Sequence, residues 1–152
     1  MRSAWKVVAW RRFDVQPDEV WAALGADPQG VLAPNGPFGS VQAFAQGPWT
    51  VDPPSRARRL SAGCDQRLRI ERAIGDRSRL VVETLVWRSG WSAGLAARMA
   101  ASAAGRAAVT ALQAVALPGD GKAGLRAHPL PPAMAGHGED ALGTLLAPAT
   151  SR

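Results

Sequence analysis

One segment limits the folds open to this chain more than any other. From Trp91 to Leu117 it is apolar and mostly Ala, yet it contains Arg98 and Arg106. A membrane span would have to bury both guanidinium groups, at roughly 2.5 kcal/mol or more each on insertion scales, and weakly hydrophobic Ala would not offset that. The segment therefore reads as a long helix in water. Arg98, Ser102, Arg106, Thr110 and Gln113 recur every three to four residues and form one solvent stripe. Leu95, Met99, Val109, Leu112 and Ala116 lie off that stripe and are expected to face the protein. Pro118-Gly119 stops the helix.

The 152 residues, 47% hydrophobic and 20% charged, suit one globular domain. Residues 4–15 read as a strand, with Trp5, Val7, Ala9, Phe13 and Val15 on one face and Arg11 interrupting it. Gln16-Pro17-Asp18-Glu19 reads as a helix start: Pro at the first helical position gives up an N–H with no intrahelical partner, and two carboxylates complement the positive end of the dipole. Val20, Trp21 and Leu24 supply the apolar side, and Gly25 ends the helix. From Phe38 to Arg88 the pattern changes to short strands: Phe38–Gln46, Trp49–Val51, Ala57–Ala62, Gln66–Ile74 and Ser78–Arg88. Gly47-Pro48, Asp52-Pro53-Pro54, Gly63 and Gly75-Asp76 punctuate them, so they form an antiparallel meander. Residues 1–117 make the domain. Residues 118–152, with five Pro and six Gly, read as a disordered tail in which only Glu139 to Leu146 could form a helical turn or two.

The N-terminal apolar stretch is broken by Lys6 and ended by Arg11-Arg12, so it lacks the form of a signal peptide, and a cytoplasmic protein is expected. One Cys (Cys64) and two His (His128, His137) exclude an intramolecular disulfide and argue against a Cys/His metal site. Both His lie in the tail, so neither a Cys–His pair nor a Ser/His/Asp triad is expected. The Gly-rich segments lack Walker-type and dinucleotide-binding spacing, so no cofactor is expected. Asp14, Asp52 and Glu83 remain as candidate acid–base groups, but Asp52 is explained by its turn.

Three local patterns, in this order, carry a resemblance. Phe13-Asp14-Val15-Gln16-Pro17-Asp18-Glu19-Val20-Trp21 joins an apolar strand to a Pro-led helix with a Val-Trp pair. Val51-Asp52-Pro53-Pro54-Ser55-Arg56 is an Asp-Pro-Pro turn between strands. Gly75-Asp76-Arg77-Ser78-Arg79-Leu80-Val81-Val82-Glu83 leads a turn into an apolar strand. Over residues 4–117 the chain resembles the START-like or Bet v 1-like superfamily, the SRPBCC or polyketide cyclase/dehydrase type. In the third pattern Ser stands where the family commonly has Thr, and a second Gly is missing. The resemblance implies an α+β helix-grip fold, in which a curved antiparallel sheet wraps a long C-terminal helix and a cavity between them holds a small hydrophobic or amphipathic ligand.

The hairpin of Gln66–Ile74 and Ser78–Arg88 decides which side chains face that cavity. A two-residue Asp76-Arg77 turn would put Glu83 on the apolar face. A three-residue loop instead places Leu68, Ile70, Ile74, Leu80, Val82 and Val86 on one face and Arg67, Arg69, Glu71, Arg79 and Glu83 on the other; this register separates core from charge and is expected. It leaves Arg72 on the apolar face, with Thr84 close by. Arg72 would hold a carboxylate, phenolate or enolate, or it would sit at a strand end and reach water along its stem. Arg11 poses the same alternative. Trp49 is the tryptophan best placed to line or cover a cavity, and Leu95 and Met99 would line it from the helix. The Ala-rich helix face either leaves volume for a ligand or lets helix and sheet approach closely.

Sixteen of the eighteen basic residues are Arg, and the stretch from Arg56 to Arg79 supplies five of the six net positive charges. On strands these residues fall largely on the outer face of the sheet, which suits an anionic partner such as RNA, a ribosome or a membrane surface. Three function classes therefore stand: a binder of a small amphipathic molecule, a cyclase or dehydratase that folds and polarises a polyketide-like substrate, and an interaction protein with a basic outer face.

Overall fold

The computed structural model describes residues 2–25, 55–61 and 63–131. In chain order the elements are β1 (Arg2–Phe13), α1 (Pro17–Gly25), β2 (Ser55–Ser61), β3 (Cys64–Ala73), β4 (Arg77–Ser89), α2 (Ala93–Ala114) and β5 (Gly124–Pro129). The architecture is α+β: one open antiparallel sheet in the order β2-β3-β4-β1-β5, with the long helix α2 following the meander. The proposed strands Phe38–Gln46 and Trp49–Val51 and the Asp52-Pro53-Pro54 turn lie outside the described residues, as does the chain from residue 132 onward.

The hairpin β3–β4 has the expected type of register. Ala73 pairs with Arg77 across the three-residue turn Ile74-Gly75-Asp76, and Gly75 supplies its positive φ of 77°. Ile70 then stands opposite Leu80 and Leu68 opposite Val82, all buried on one face. Ile74, expected on that face, belongs to the turn and is 96% exposed.

β1 adds Ala9 and Phe13 to the same face by period-two alternation, and its central position gives it β4 on one side and β5 on the other. Helix α1 starts at Pro17, where the Gln16 carbonyl accepts from the Glu19 and Val20 amides, and drops Val20 and Leu24 onto Phe13, Leu68, Ile70 and Leu80. Each large, fully buried aliphatic or aromatic side chain here contributes about 2 kcal/mol by area.

Helix α2 covers this face through Ala93, Ala97, Ala101, Gly105, Ala108, Ala111 and Leu112. Those small side chains recur every three or four residues and bring helix and sheet into close contact. A methyl group at Gly105 would lie 3.1 Å from Leu125 Cδ1 and 3.4 Å from Val7 Cγ1. Between the two accounts of the Ala-rich face, the contacts at Gly105 are those of close packing.

Residues after Pro118 were expected to lack regular structure. Instead Asp14 and Asp120 donate their amides to the Pro118 and Arg12 carbonyls, and Gly119 bridges to Phe13. β5 then runs antiparallel along β1 from Trp10↔Gly124 to Trp5↔Pro129. The Gly and Pro content punctuates this stretch without preventing a short strand, because β1 offers a full row of backbone partners.

Candidate functional site

The side chains proposed to line a cavity are not brought together. Arg72 lies on the helix side of the sheet, but opposite Ser78, next to the hairpin turn, and it is exposed: the strand ends beside it, and its stem leads into water. Thr84 is buried on the same side, between Val7 of β1 and Gln66 of β3. Trp49 lies outside the described residues. Leu95 and Met99 are 65% and 63% exposed, on the side of α2 opposite its Ala face. Over its first turns the helix buries its smallest side chains, because these allow the closest approach, and leaves Leu95 and Met99 outward; Leu112, toward its other end, is buried in the core.

Arg11 is buried and faces α2, where it serves the helix itself. Its Nη1 donates to the Leu112 and Val115 carbonyls at 2.7 and 2.9 Å, and its Nε donates to the Asp120 carbonyl at 2.7 Å. Its guanidinium also lies over the Phe13 ring, 4.7 Å from the centroid. The last carbonyls of a helix lack intrahelical donors, and a cation at that end complements the dipole. Burial lowers the Arg11 pKa, and nearby Asp120 partly opposes this. Arg11 thus caps the end of α2.

The chemistry gathers on the other face of the sheet. The pairings Arg67↔Glu83, Glu83↔Val8 and Val8↔Arg126 make one cross-strand row. Asp65, Leu85, Lys6 and His128 form the next, and Arg69, Val81, Trp10 and Gly124 flank the first row on its other side. Trp10 lies over Gly124, whose missing side chain makes room for the ring, and Arg126 lies 5.9 Å from the ring centroid. The charge expected on a solvated outer face is on this face, but its centre is buried: Asp65, Arg67, Arg69 and Glu83 are all less than a tenth exposed. Val81 and Leu85, which stand among these charges in the cross-strand rows, are buried as well.

Part of this charge is internally matched. Glu71 accepts from Arg69 Nε at 2.9 Å and from Arg79 Nε at 2.8 Å, each guanidinium adding a second bond, and Arg69 also pairs with Glu83. Burial alone would raise the Glu71 carboxyl, but the hydrogen bonds and charges of Arg69 and Arg79 outweigh it and hold the pKa below its ordinary value. Asp65 is the third carboxylate. Among the buried and half-buried side chains described on this face, Lys6, Arg67, Arg69 and Arg79 outnumber these three carboxylates by one, and exposed Arg2, Arg12 and Arg126 add positive charge at its margin. The excess shows in the titration of its members. Burial, then Arg69, brings Arg67 down to about 10; burial, then Arg69 and Arg67, lowers Lys6; burial, then Lys6 and Arg126, lowers His128. Glu83, 3% exposed, has an Oε2 with no hydrogen-bond donor among the described residues.

Of this group Lys6, Trp10, Arg126 and His128 were not anticipated. The even-numbered alternation of β1 places Lys6, Val8 and Trp10 together, but no sequence signal marked β5 as their neighbour. Among the described residues no group of three His, Cys, Asp or Glu could hold a metal, and no helix is long and apolar enough to cross a membrane. Comparison with protein-family models gives no match, and comparison with curated proteins gives none.

Proposed function

We propose that the protein binds a small amphipathic anion on the face of the sheet opposite α2. In this reading the chain is a START-like, helix-grip protein whose long helix closes one side of the sheet and whose ligand contacts lie on the other. The observation that carries the proposal is the gathering of Lys6, Arg67, Arg69 and Arg79, all buried or half-buried, on one face with three carboxylates, with exposed Arg12 and Arg126 at its margin and with Arg67 and Lys6 both pulled below their ordinary pKa. Cations crowded out of water favour a bound anion, which would restore their proton affinity. Half-buried Val8 and Trp10 between the charges suit an apolar body, and Glu83 Oε2 can accept from a ligand hydroxyl or amine.

The probes are dodecanoate, dodecanol and dodecyltrimethylammonium, with binding followed by calorimetry below their micelle-forming concentrations. Dodecanoate is expected to bind at least about tenfold more tightly than either of the others, and Arg67→Met to remove most of that preference, since a charge-assisted pair contributes about 1.5–3 kcal/mol. Equal binding of the alcohol, or an unchanged affinity in Arg67→Met, overturns the assignment. Binding of dodecanoate that is weakened by Gly105→Leu but not by Arg67→Met would return the site to the interface of helix and sheet.

A further inference from the structure

The outward side of α2 carries a second feature, distinct from the basic sheet face. Leu95 and Met99, four residues apart on α2, are 65% and 63% exposed and share one sector of its surface, and Trp91, 96% exposed, lies in the turn just before the helix. Arg98, Ser102 and Arg106, all exposed, fall in the same sector, beside and beyond the apolar three. From Thr84 to Gly119 the chain contains Arg88, Arg98 and Arg106 and no acidic residue. An exposed Trp, Leu and Met ridge bordered only by positive charge differs from the scattered apolar residues normal for a protein surface.

We propose that this side of α2 docks on an anionic lipid surface, with Trp91, Leu95 and Met99 entering the headgroup region and Arg98 and Arg106 meeting lipid phosphates. The charge decides among partners. A second copy of this chain would bring Arg98 and Arg106 against their own kind at a self-complementary contact, with no carboxylate from the helix to relieve them. An anionic membrane supplies the opposite charge and an apolar layer at the depth that Trp favours. The contact is peripheral: the rest of α2 is anchored on the sheet through its Ala face.

The test is co-sedimentation of the full chain with phosphatidylcholine vesicles, with and without phosphatidylglycerol, at low and high salt. Binding is expected to require phosphatidylglycerol and to fall with salt. Trp91→Ser combined with Leu95→Ser and Met99→Ser is expected to cut partitioning by about tenfold or more, and Arg98→Glu by about fivefold. Circular dichroism checks that these surface variants keep the fold. In the wild-type chain, brominated lipid should quench Trp emission, and Trp91→Phe should remove most of the quenching. Failure to bind phosphatidylglycerol vesicles, or equal binding by the triple variant, overturns the proposal. So does a dimeric wild type whose triple variant is monomeric, since the face would then be an interface between copies.

Discussion

Replacing Arg11 by Met tests whether one buried guanidinium holds the end of α2 to the sheet. The substitution keeps the aliphatic bulk and removes three short hydrogen bonds, to the carbonyls of Leu112, Val115 and Asp120. Bonds from a charged donor contribute about 1.5–3 kcal/mol each. Two effects reduce the sum: the Leu112 carbonyl keeps a bond from the Val115 amide at 3.3 Å, and the variant no longer has to desolvate a cation, a cost visible in the lowered Arg11 pKa. The expected net loss is about 2–4 kcal/mol. In urea denaturation, with a slope of about 1–3 kcal/mol per molar, the midpoint should fall by roughly 1–2 M with the slope unchanged. Arg11→Lys keeps the charge but cannot reach three carbonyls at once, and it should recover about half of the loss. A midpoint for Arg11→Met within about 0.3 M of wild type would refute the capping role.

Two further outcomes follow from close contacts and from charge. Gly119→Ala would place a Cβ 2.3 Å from the Arg12 carbonyl oxygen and 2.7 Å from Phe13 Cα, both backbone atoms, so thermal melting should show a loss of at least about 2 kcal/mol, with the β5 amides losing hydrogen-exchange protection first. An unchanged melting point would mean that the chain after α2 is not seated against β1. For Glu71 the folded pKa is depressed, so its stabilisation is present above the ordinary value of 4.5 and lost as pH falls through the folded pKa. Glu71→Gln should therefore be less stable than wild type by about 1–3 kcal/mol near neutral pH, and the two stability curves should converge in acid; parallel curves would remove Glu71 from the network.

Much of the fold is legible in the sequence because it rests on periodicity. The separation of Leu68, Ile70, Leu80 and Val82 from Arg67, Arg69, Arg79 and Glu83 identifies the three-residue hairpin turn, since a one-residue slip would mix core and charge. Pro17 with Asp18 and Glu19 marks α1, whereas α2, expected to run as far as Pro118-Gly119, ends at Ala114 with Val115 already extended. Three features escaped for physical reasons. In α2 the expectation followed hydrophobicity, but the contact followed size: Ala97, Ala101 and Gly105 face the sheet, and Leu95 and Met99 face out. Arg11 has the same chemistry whether it meets a ligand or a helix end, and only the tertiary position of Leu112 and Val115 distinguishes them. β5 is short and rich in turn residues, so local propensity is against it, and its pairing with β1 depends on a partner far away in the chain.

That last pairing also sets an order of events. β1 is made first, yet its two neighbours, β4 and β5, are separated from it by the whole meander and by α2 respectively. The β3–β4 hairpin forms locally, but β1 gains no ladder from its chain neighbours and must wait for a long loop closure, which slows folding. An intermediate in which β4 has docked and β5 has not would present the free edge of β1, with Lys6, Val8 and Trp10 beside it, to any other strand. The small strand after α2 thus covers an edge of β1 that would otherwise stand open to neighbouring molecules.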